Sequence, residues 1–175
     1  NATRVTSKDT ARAFELNDFG YSDVNGDGFA GVRIDTLPVS GGITLNGGAV
    51  AVGQTIAAAD IVAGHLVYTP APNANDGTIA AGDRSFSFSV ADETGSYAIS
   101  ANTLTLSITA VNDAPVITSN GGGASAAINV PETTTAVTTV TATDIDSAAL
   151  TYSIAGGADA ARFQIDAATG ALSFI

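Results

Sequence analysis

Asp23-Val24-Asn25-Gly26-Asp27-Gly28 sets three oxygen-bearing side chains at alternate positions and ends on a residue that permits a sharp turn. Alternate residues of such a stretch present their oxygens to one side, the donor arrangement that a hard cation such as calcium takes. The same six residues open an EF-hand loop. The twelfth position, however, is Ile34 where that loop requires a bidentate acid, and the flanking segments are strand-like, which excludes an EF-hand. The bland alternative is an acidic β-turn whose side chains cap their own backbone. A second stretch with chemistry is Val111-Asn112-Asp113-Ala114-Pro115. A strand that ends in an Asn-Asp pair and a proline reads as a stiff joint between two β modules, with carboxylate and amide groups placed to hold a hard cation. Calcium-dependent rigidity is the chemistry these residues suggest. Magnesium suits them less, because it keeps its waters and seldom uses all-protein cages.

The residues that catalysis needs are scarce. His65 is the one histidine and precedes Leu66-Val67-Tyr68 at a turn, where a solvated side chain is expected. Cysteine is absent, so neither a disulfide nor a thiolate zinc site can form. No serine stands in a Gly-x-Ser-x-Gly elbow. A glycosidase pair of carboxylates would lack tryptophan to stack a sugar, because the chain has none. Gly121-Gly122-Gly123 lacks the strand–loop–helix setting of a phosphate cradle and reads as a turn. The expectation is a protein that is not an enzyme.

Seventeen acidic residues stand against six basic ones, for a net charge of -11. Such a chain is repelled by nucleic acid and by anionic membranes, so neither nucleic-acid binding nor direct membrane insertion is expected. Asp76, Asp83, Asp92, Glu93, Asp113, Asp144 and Asp146 join Asp23 and Asp27 in turn-like segments, where calcium draws its oxygens. The apolar residues are mostly Ala, Val, Ile and Leu, with many Thr and 19 Gly, the texture of a β protein rich in turns.

Those loops must be held by strands. Residues 1–111 read as one β module. An opening strand is expected over Ala11–Leu16, and Gly31–Leu37 alternates until Pro38. Asn46-Gly47 marks a hairpin between Ile43-Thr44-Leu45 and a return strand at Ala49–Val52. Ala57–Ala63 is the one helical turn, and Leu66–Thr69 is a strand closed by Pro70. Phe86, Phe88 and Val90 alternate with serines, and the last strand spans Asn102–Ala110. Residues 112–175 begin a second module of different sequence. Its strand candidates are Thr134–Thr143, Leu150–Ile154, Phe163–Ile165 and Ala171–Ile175, with a helical turn over Gly157–Arg162. It is shorter than the roughly 100 residues of a seven-stranded sandwich, so it is read as the N-terminal part of a repeat. The expected fold class is all-β: tandem antiparallel Greek-key β-sandwich modules, the second incomplete.

Phe19-Gly20-Tyr21-Ser22-Asp23-Val24-Asn25-Gly26-Asp27-Gly28, Leu37-Pro38, Gly42-Ile43-Thr44-Leu45-Asn46-Gly47, Leu66-Val67-Tyr68-Thr69-Pro70 and Phe86-Ser87-Phe88-Ser89-Val90-Ala91-Asp92 together resemble a bacterial cadherin-like repeat. Such repeats occur in tandem in giant secreted adhesins of Gram-negative bacteria and are similar to those of chondroitin sulfate proteoglycans. The second segment resembles a repeat closer to cadherins proper, through Val130-Pro131-Glu132, Ala142-Thr143-Asp144-Ile145-Asp146, Leu150–Ile154 and Phe163-Gln164-Ile165-Asp166. The resemblance implies calcium at the junction of repeats, held by Asn112, Asp113, Asp144 and Asp146 together with Asp83 of the first module. It implies a second site from Asp23, Asn25, Asp27 and Asp92 at the other end. Two departures imply a weaker junction site. Asp83-Arg84-Ser85 stands where the family has Asp-Arg-Glu, and Lys8-Asp9 stands where it has a glutamate.

The resemblance thus implies a calcium-stiffened spacer or adhesion repeat of a large bacterial surface or secreted protein, active in cell adhesion or biofilm. Its partners would be neighbouring repeats of the same polypeptide and cell-surface glycans or proteins. The alternative is a calcium-dependent module of a secreted protein or enzyme that binds carbohydrate or protein.

Overall fold

The computed structural model describes residues 1–175, which divide into two compact units, Asn1–Val111 and Asn112–Ile175. Unit 1 contains β1 (Ala2–Ser7), β2 (Arg12–Ala13), β3 (Phe29–Ile34), β4 (Gly42–Leu45), β5 (Gly48–Ala49), β6 (Thr55–Ala57), the short helix α1 (Ala58–Val62), β7 (Leu66–Thr69), β8 (Ser85–Asp92) and β9 (Asn102–Thr109). The strands form a five-stranded sheet in the order β1-β9-β8-β3-β6 and a four-stranded sheet in the order β2-β7-β4-β5. Both sheets contribute to one core, so unit 1 is a β-sandwich.

Alternation builds that core. Along β9, Leu104, Leu106 and Ile108 are fully buried while Thr103 and Thr109 face solvent. Phe86 and Phe88 do the same on β8, and Val32 and Ile34 on β3. The smaller sheet supplies Ile43, Leu66 and Tyr68. Each such side chain contributes about 1.5–3 kcal/mol by leaving water. Four rings meet in the middle: Phe14 lies 5.8 Å from Phe19 and 5.5 Å from Phe86, and Phe19 meets Phe88 edge-on at 5.0 Å. The buried Tyr68 hydroxyl donates to Ser40 O at 3.0 Å, which offsets its loss of water.

The sheets are antiparallel except where β1 runs parallel to β9, from Ala2 opposite Leu104 to Ser7 opposite Thr109. The expected opening strand over Ala11–Leu16 is shorter than its sequence suggests. Only Arg12–Ala13 is extended in a sheet, and Leu16–Asp18 is a 3-10 turn. The true first strand, β1, has a single large aliphatic residue, Val5, and that side chain is 61% exposed. An edge strand with almost no apolar pattern leaves little periodicity to read.

The β4–β5 hairpin turns through Asn46 at φ 51° and Gly47 at φ 80°, both left-handed, as a type I′ turn demands. Gly47→Ala puts a Cβ into that conformation and is expected to lower stability by about 1 kcal/mol, measured by urea unfolding. An unchanged midpoint would mean that the turn does not set the hairpin.

Unit 2 contains β10 (Val116–Ile117), β11 (Ala136–Thr139), β12 (Ala142–Thr143), β13 (Phe163–Ile165) and β14 (Ala171–Phe174). β10 pairs with β12, and β11-β14-β13 form a second sheet. The expected strand over Thr134–Thr143 is therefore two strands that belong to different sheets, broken at Val140 and Thr141. Leu150–Ile154 forms no strand despite its alternation. It lies instead beside Ile117, Val140, Ile165 and Leu172 along an open apolar hollow of about 430 Å³. Phe163 and Phe174 face each other across the β13–β14 pair at 4.9 Å. Gly170 is the one buried residue of this unit, so no closed apolar core supports it. The helical turn expected over Gly157–Arg162 is a 3-10 turn at Ala160–Arg162. No helix of the chain is long and apolar enough to cross a membrane.

Candidate metal centre

Two loops of unit 1 bring carboxylates together. The first leaves the ring cluster at Phe19 and runs to β3; the second leaves the end of β8. One carboxylate oxygen each from Asp23, Asp27 and Asp92 lie within 4.8 Å of one another. Ligands on one calcium ion sit 2.3–2.6 Å from it, so oxygens at this mutual spacing fit a single ion.

Local hydrogen bonds shape the loops first. Asp23 Oδ1 accepts from the backbone N–H groups of Asn25 at 2.7 Å and Asp27 at 3.1 Å. Asp92 Oδ1 accepts from Thr94 Oγ1 at 2.6 Å and from Ser96 N at 3.0 Å. These are self-capping turns of the kind that acidic loops form without a metal. They engage Oδ1 of Asp23 and of Asp92 and leave Oδ2 of Asp23 and both oxygens of Asp27 without a protein donor.

Tyr21 braces the first loop and lines the same hollow as Asp92 and Ser96 of the second. Its hydroxyl donates to Asp27 O at 2.8 Å, and its ring packs on Phe29 at 5.1 Å. Partial burial raises its pKa above that of an ordinary phenol, and the charges of Asp23, Asp92, Asp27 and Glu93 raise it further. Four carboxylates therefore act on one phenol. The Asp92 carboxyl is held below its usual range, chiefly by the Thr94 hydroxyl and the Ser96 N–H. None of Asp23, Asp27 and Asp92 takes part in an ion pair.

Glu93 belongs to this pole although it lay outside the expected ligand set. Its N–H donates to Gly28 O at 3.0 Å, and its carboxylate lies so close to Gly28 that a Cβ there would fall 2.5 Å from Oε1. A Cβ at Gly28 would oblige the flexible Glu93 carboxylate to move aside. Its place directly after Asp92 was the available signal. Tyr97 is the other residue that spacing did not mark. It lines a hollow of about 160 Å³ with Tyr21, Asp23, Asp92 and Ser96, and the Arg33 guanidinium lies 4.8 Å from its ring centre.

The other expected ligands stand elsewhere. Asn25 contributes its backbone N–H to Asp23, and nothing ties its side chain. Asp83 is exposed in unit 1, with its carbonyl accepting from Ser40 N at 2.7 Å. The neighbouring Arg84 is buried and pairs with Asp76 at 2.6 Å, not with Asp83. Ser85 shares a hydrogen bond with Thr105 at 2.8 Å. In unit 2, Asp144 Oδ1 accepts from Asp146 N and Ser147 N, both at 2.8 Å, and Asp146 Oδ2 accepts from Asp113 N at 2.6 Å. Asn112 Nδ2 donates to Asp113 O at 2.6 Å. Asp113, Asp144 and Asp146 are thus joined by backbone bonds within their own unit. His65 sits at a turn, half-exposed, with Nδ1 3.3 Å from Asp60.

No family model matches the chain, and no curated protein matches it. Among solved structures, the chain is similar to Drosophila N-cadherin EC1-4, with a TM-score of 0.46, 16% identity, and coverage of 99% of this chain and 40% of that one. It is also similar to the human desmocollin-1 ectodomain, with a TM-score of 0.32, 14% identity, and coverage of 98% and 30%. The chain thus spans well under half the length of either.

Proposed function

We propose that this chain is a calcium-stiffened extracellular spacer or adhesion repeat of a bacterial surface or secreted protein, and that it catalyses no reaction. The observation that carries the calcium reading is the approach of Asp23, Asp27 and Asp92 from two separate loops, with oxygens left over after the turns are capped. Like charges at this spacing repel, and a divalent cation both removes the repulsion and ties the two loops to each other. Asp23, Asp27 and Asp92 would hold the ion. Neighbouring repeats of the same polypeptide are its partners. A second reading is a calcium-dependent module for cell-surface glycans or proteins, favoured by the hollow beside the carboxylates with its two tyrosines. A glycan array separates the two, because a spacer gives no reproducible hits.

Thermal unfolding with chelator and with millimolar calcium tests the metal. Extracellular calcium modules bind at about 0.1–1 mM. Calcium at about ten times that value stabilises by about 1.4 kcal/mol, a rise in Tm of roughly 5–10 °C. Asp27→Asn together with Asp92→Asn removes the rise. Asp144→Ala with Asp146→Ala tests the acids of unit 2 in the same way. No shift in the unaltered chain would leave the acidic loops as solvated turns and sink the calcium reading.

A further inference from the structure

Asparagine followed by glycine loses its side-chain amide more readily than other pairs, because no side chain shields the glycine N–H from the preceding carboxamide. The chain has three such pairs: Asn25-Gly26, Asn46-Gly47 and Asn120-Gly121. Closing the ring requires the asparagine backbone to rotate until Cγ and the next nitrogen are eclipsed, so the local hydrogen bonds set the barrier.

The fold holds the three pairs differently. Asn46-Gly47 is clamped between β4 and β5, with Leu45 paired to Gly48 and Asn46 N bonded to His65 O at 3.1 Å. Rotation there breaks the hairpin. At Asn120 the side chain itself is engaged, with Nδ2 and Oδ1 each 3.4 Å from Thr138 Oγ1, and the backbone is closed by a bond from Gly122 N to Ser119 O at 3.0 Å. Asn25 is exposed, lies in no sheet and makes no side-chain hydrogen bond; its N–H and that of Asp27 donate to Asp23 Oδ1 at 2.7 and 3.1 Å, so the pair is held by one loop side chain and not by a strand. Gly26 has no neighbour within 4 Å of where a Cβ would stand, and its N–H has no partner. Asp23 and Asp27 oppose ionisation of that N–H, but both are partly exposed and water screens them.

We propose that Asn25 is the site of spontaneous deamidation in this chain. As the Gly26 proton passes to water or hydroxide, its nitrogen bonds to Asn25 Cγ; the Cγ–Nδ2 bond breaks, and Nδ2 takes a proton and leaves as ammonia. Water then opens the cyclic imide. Opening at the side-chain carbonyl gives aspartate, and opening at the main-chain carbonyl gives isoaspartate, with the backbone rerouted through the side chain. Either product adds a carboxylate between Asp23 and Asp27. Isoaspartate also lengthens the backbone and misaligns the two N–H groups that Asp23 Oδ1 accepts.

The test needs no metal and so stands apart from the calcium reading. The full chain is incubated with chelator at mildly alkaline pH, digested at intervals, and its peptides are weighed. The Asn25 peptide should gain the mass of an amide-to-acid conversion several-fold faster than the Asn46 and Asn120 peptides. In denaturant that ranking should collapse, because all three pairs share the same chemistry. Asn25→Gln, which keeps the backbone donors on Asp23, should remove the earliest product. Conversion first at Asn46 or Asn120, equal rates in the folded chain, or a ranking that survives denaturant would each overturn the proposal.

Discussion

Asp18→Asn lowers the stability of unit 1 by about 2–4 kcal/mol, a fall in Tm of roughly 10 °C or more. The Asp18 side chain is 4% exposed and is surrounded by donors. Arg4 Nε on β1 donates to it, Arg12 on β2 donates through Nη1 at 2.7 Å and Nη2 at 3.0 Å, and Glu15 N donates at 3.0 Å. Because β1 belongs to the larger sheet and β2 to the smaller, one carboxylate ties the two layers of the sandwich together. The isosteric amide keeps the shape, removes the charge, and turns a donor towards two guanidiniums. Breaking a buried pair costs about 3–5 kcal/mol; the partial exposure of Arg4 and Arg12 trims that figure. Burial pushes the Asp18 pKa up, but the bonds from Arg12, the Glu15 N–H and Arg4 outweigh it, leaving the carboxyl below its ordinary value. A depressed folded pKa contributes stability that is present above the unfolded value of about 3.9 and is lost as pH falls through the folded value. Urea midpoints should therefore differ widely between the two proteins at neutral pH and converge in acid. Equal midpoints at neutral pH would show that the clamp contributes nothing.

What the residues announced and what they hid follow from the same physics. β8 and β9 were legible because Phe86 and Phe88, and Leu104, Leu106 and Ile108, recur at period two on the buried face; on β8 that period breaks after Phe88, where Ser89 and Ala91 are buried and Val90 only partly so. The hairpin was legible because Asn46-Gly47 is the pair that a type I′ turn selects. β1 was not, since its stability comes from parallel pairing with β9 and from the Arg4 clamp, neither of which leaves a local pattern. Leu150–Ile154 erred in the opposite direction: alternation was present, but a single backbone bond, Tyr152 N to Ala167 O at 3.0 Å, does not make a strand ladder. At the candidate site, Asp23 and Asp27 share one turn and were visible from spacing alone. Asp92 lies on a distant strand end, and only the resemblance to a family placed it beside them. Glu93 was visible as a loop acid directly after Asp92, but only the folded chain shows its carboxylate against Gly28.

Phe19→Ala joins the core to the site in one experiment. The ring is 2% exposed, meets Phe88 edge-on at 5.0 Å, and stands at the start of the loop that carries Asp23 and Asp27. Removing a buried phenylalanine costs about 3–5 kcal/mol through lost transfer energy and the cavity left behind. Phe14→Ala removes an equally buried ring from the same cluster but lies on the far side of the 3-10 turn at Leu16–Asp18. The two variants should lose similar stability in urea, since they empty the same core. They should differ in their response to calcium. Without Phe19 the loop is no longer anchored where Asp23 and Asp27 face Asp92, so ordering the loop consumes part of the binding energy. The calcium-induced rise in Tm should shrink in Phe19→Ala and persist in Phe14→Ala. An equal rise in both would mean that the carboxylates are positioned by their own turns, with the ring cluster serving stability alone.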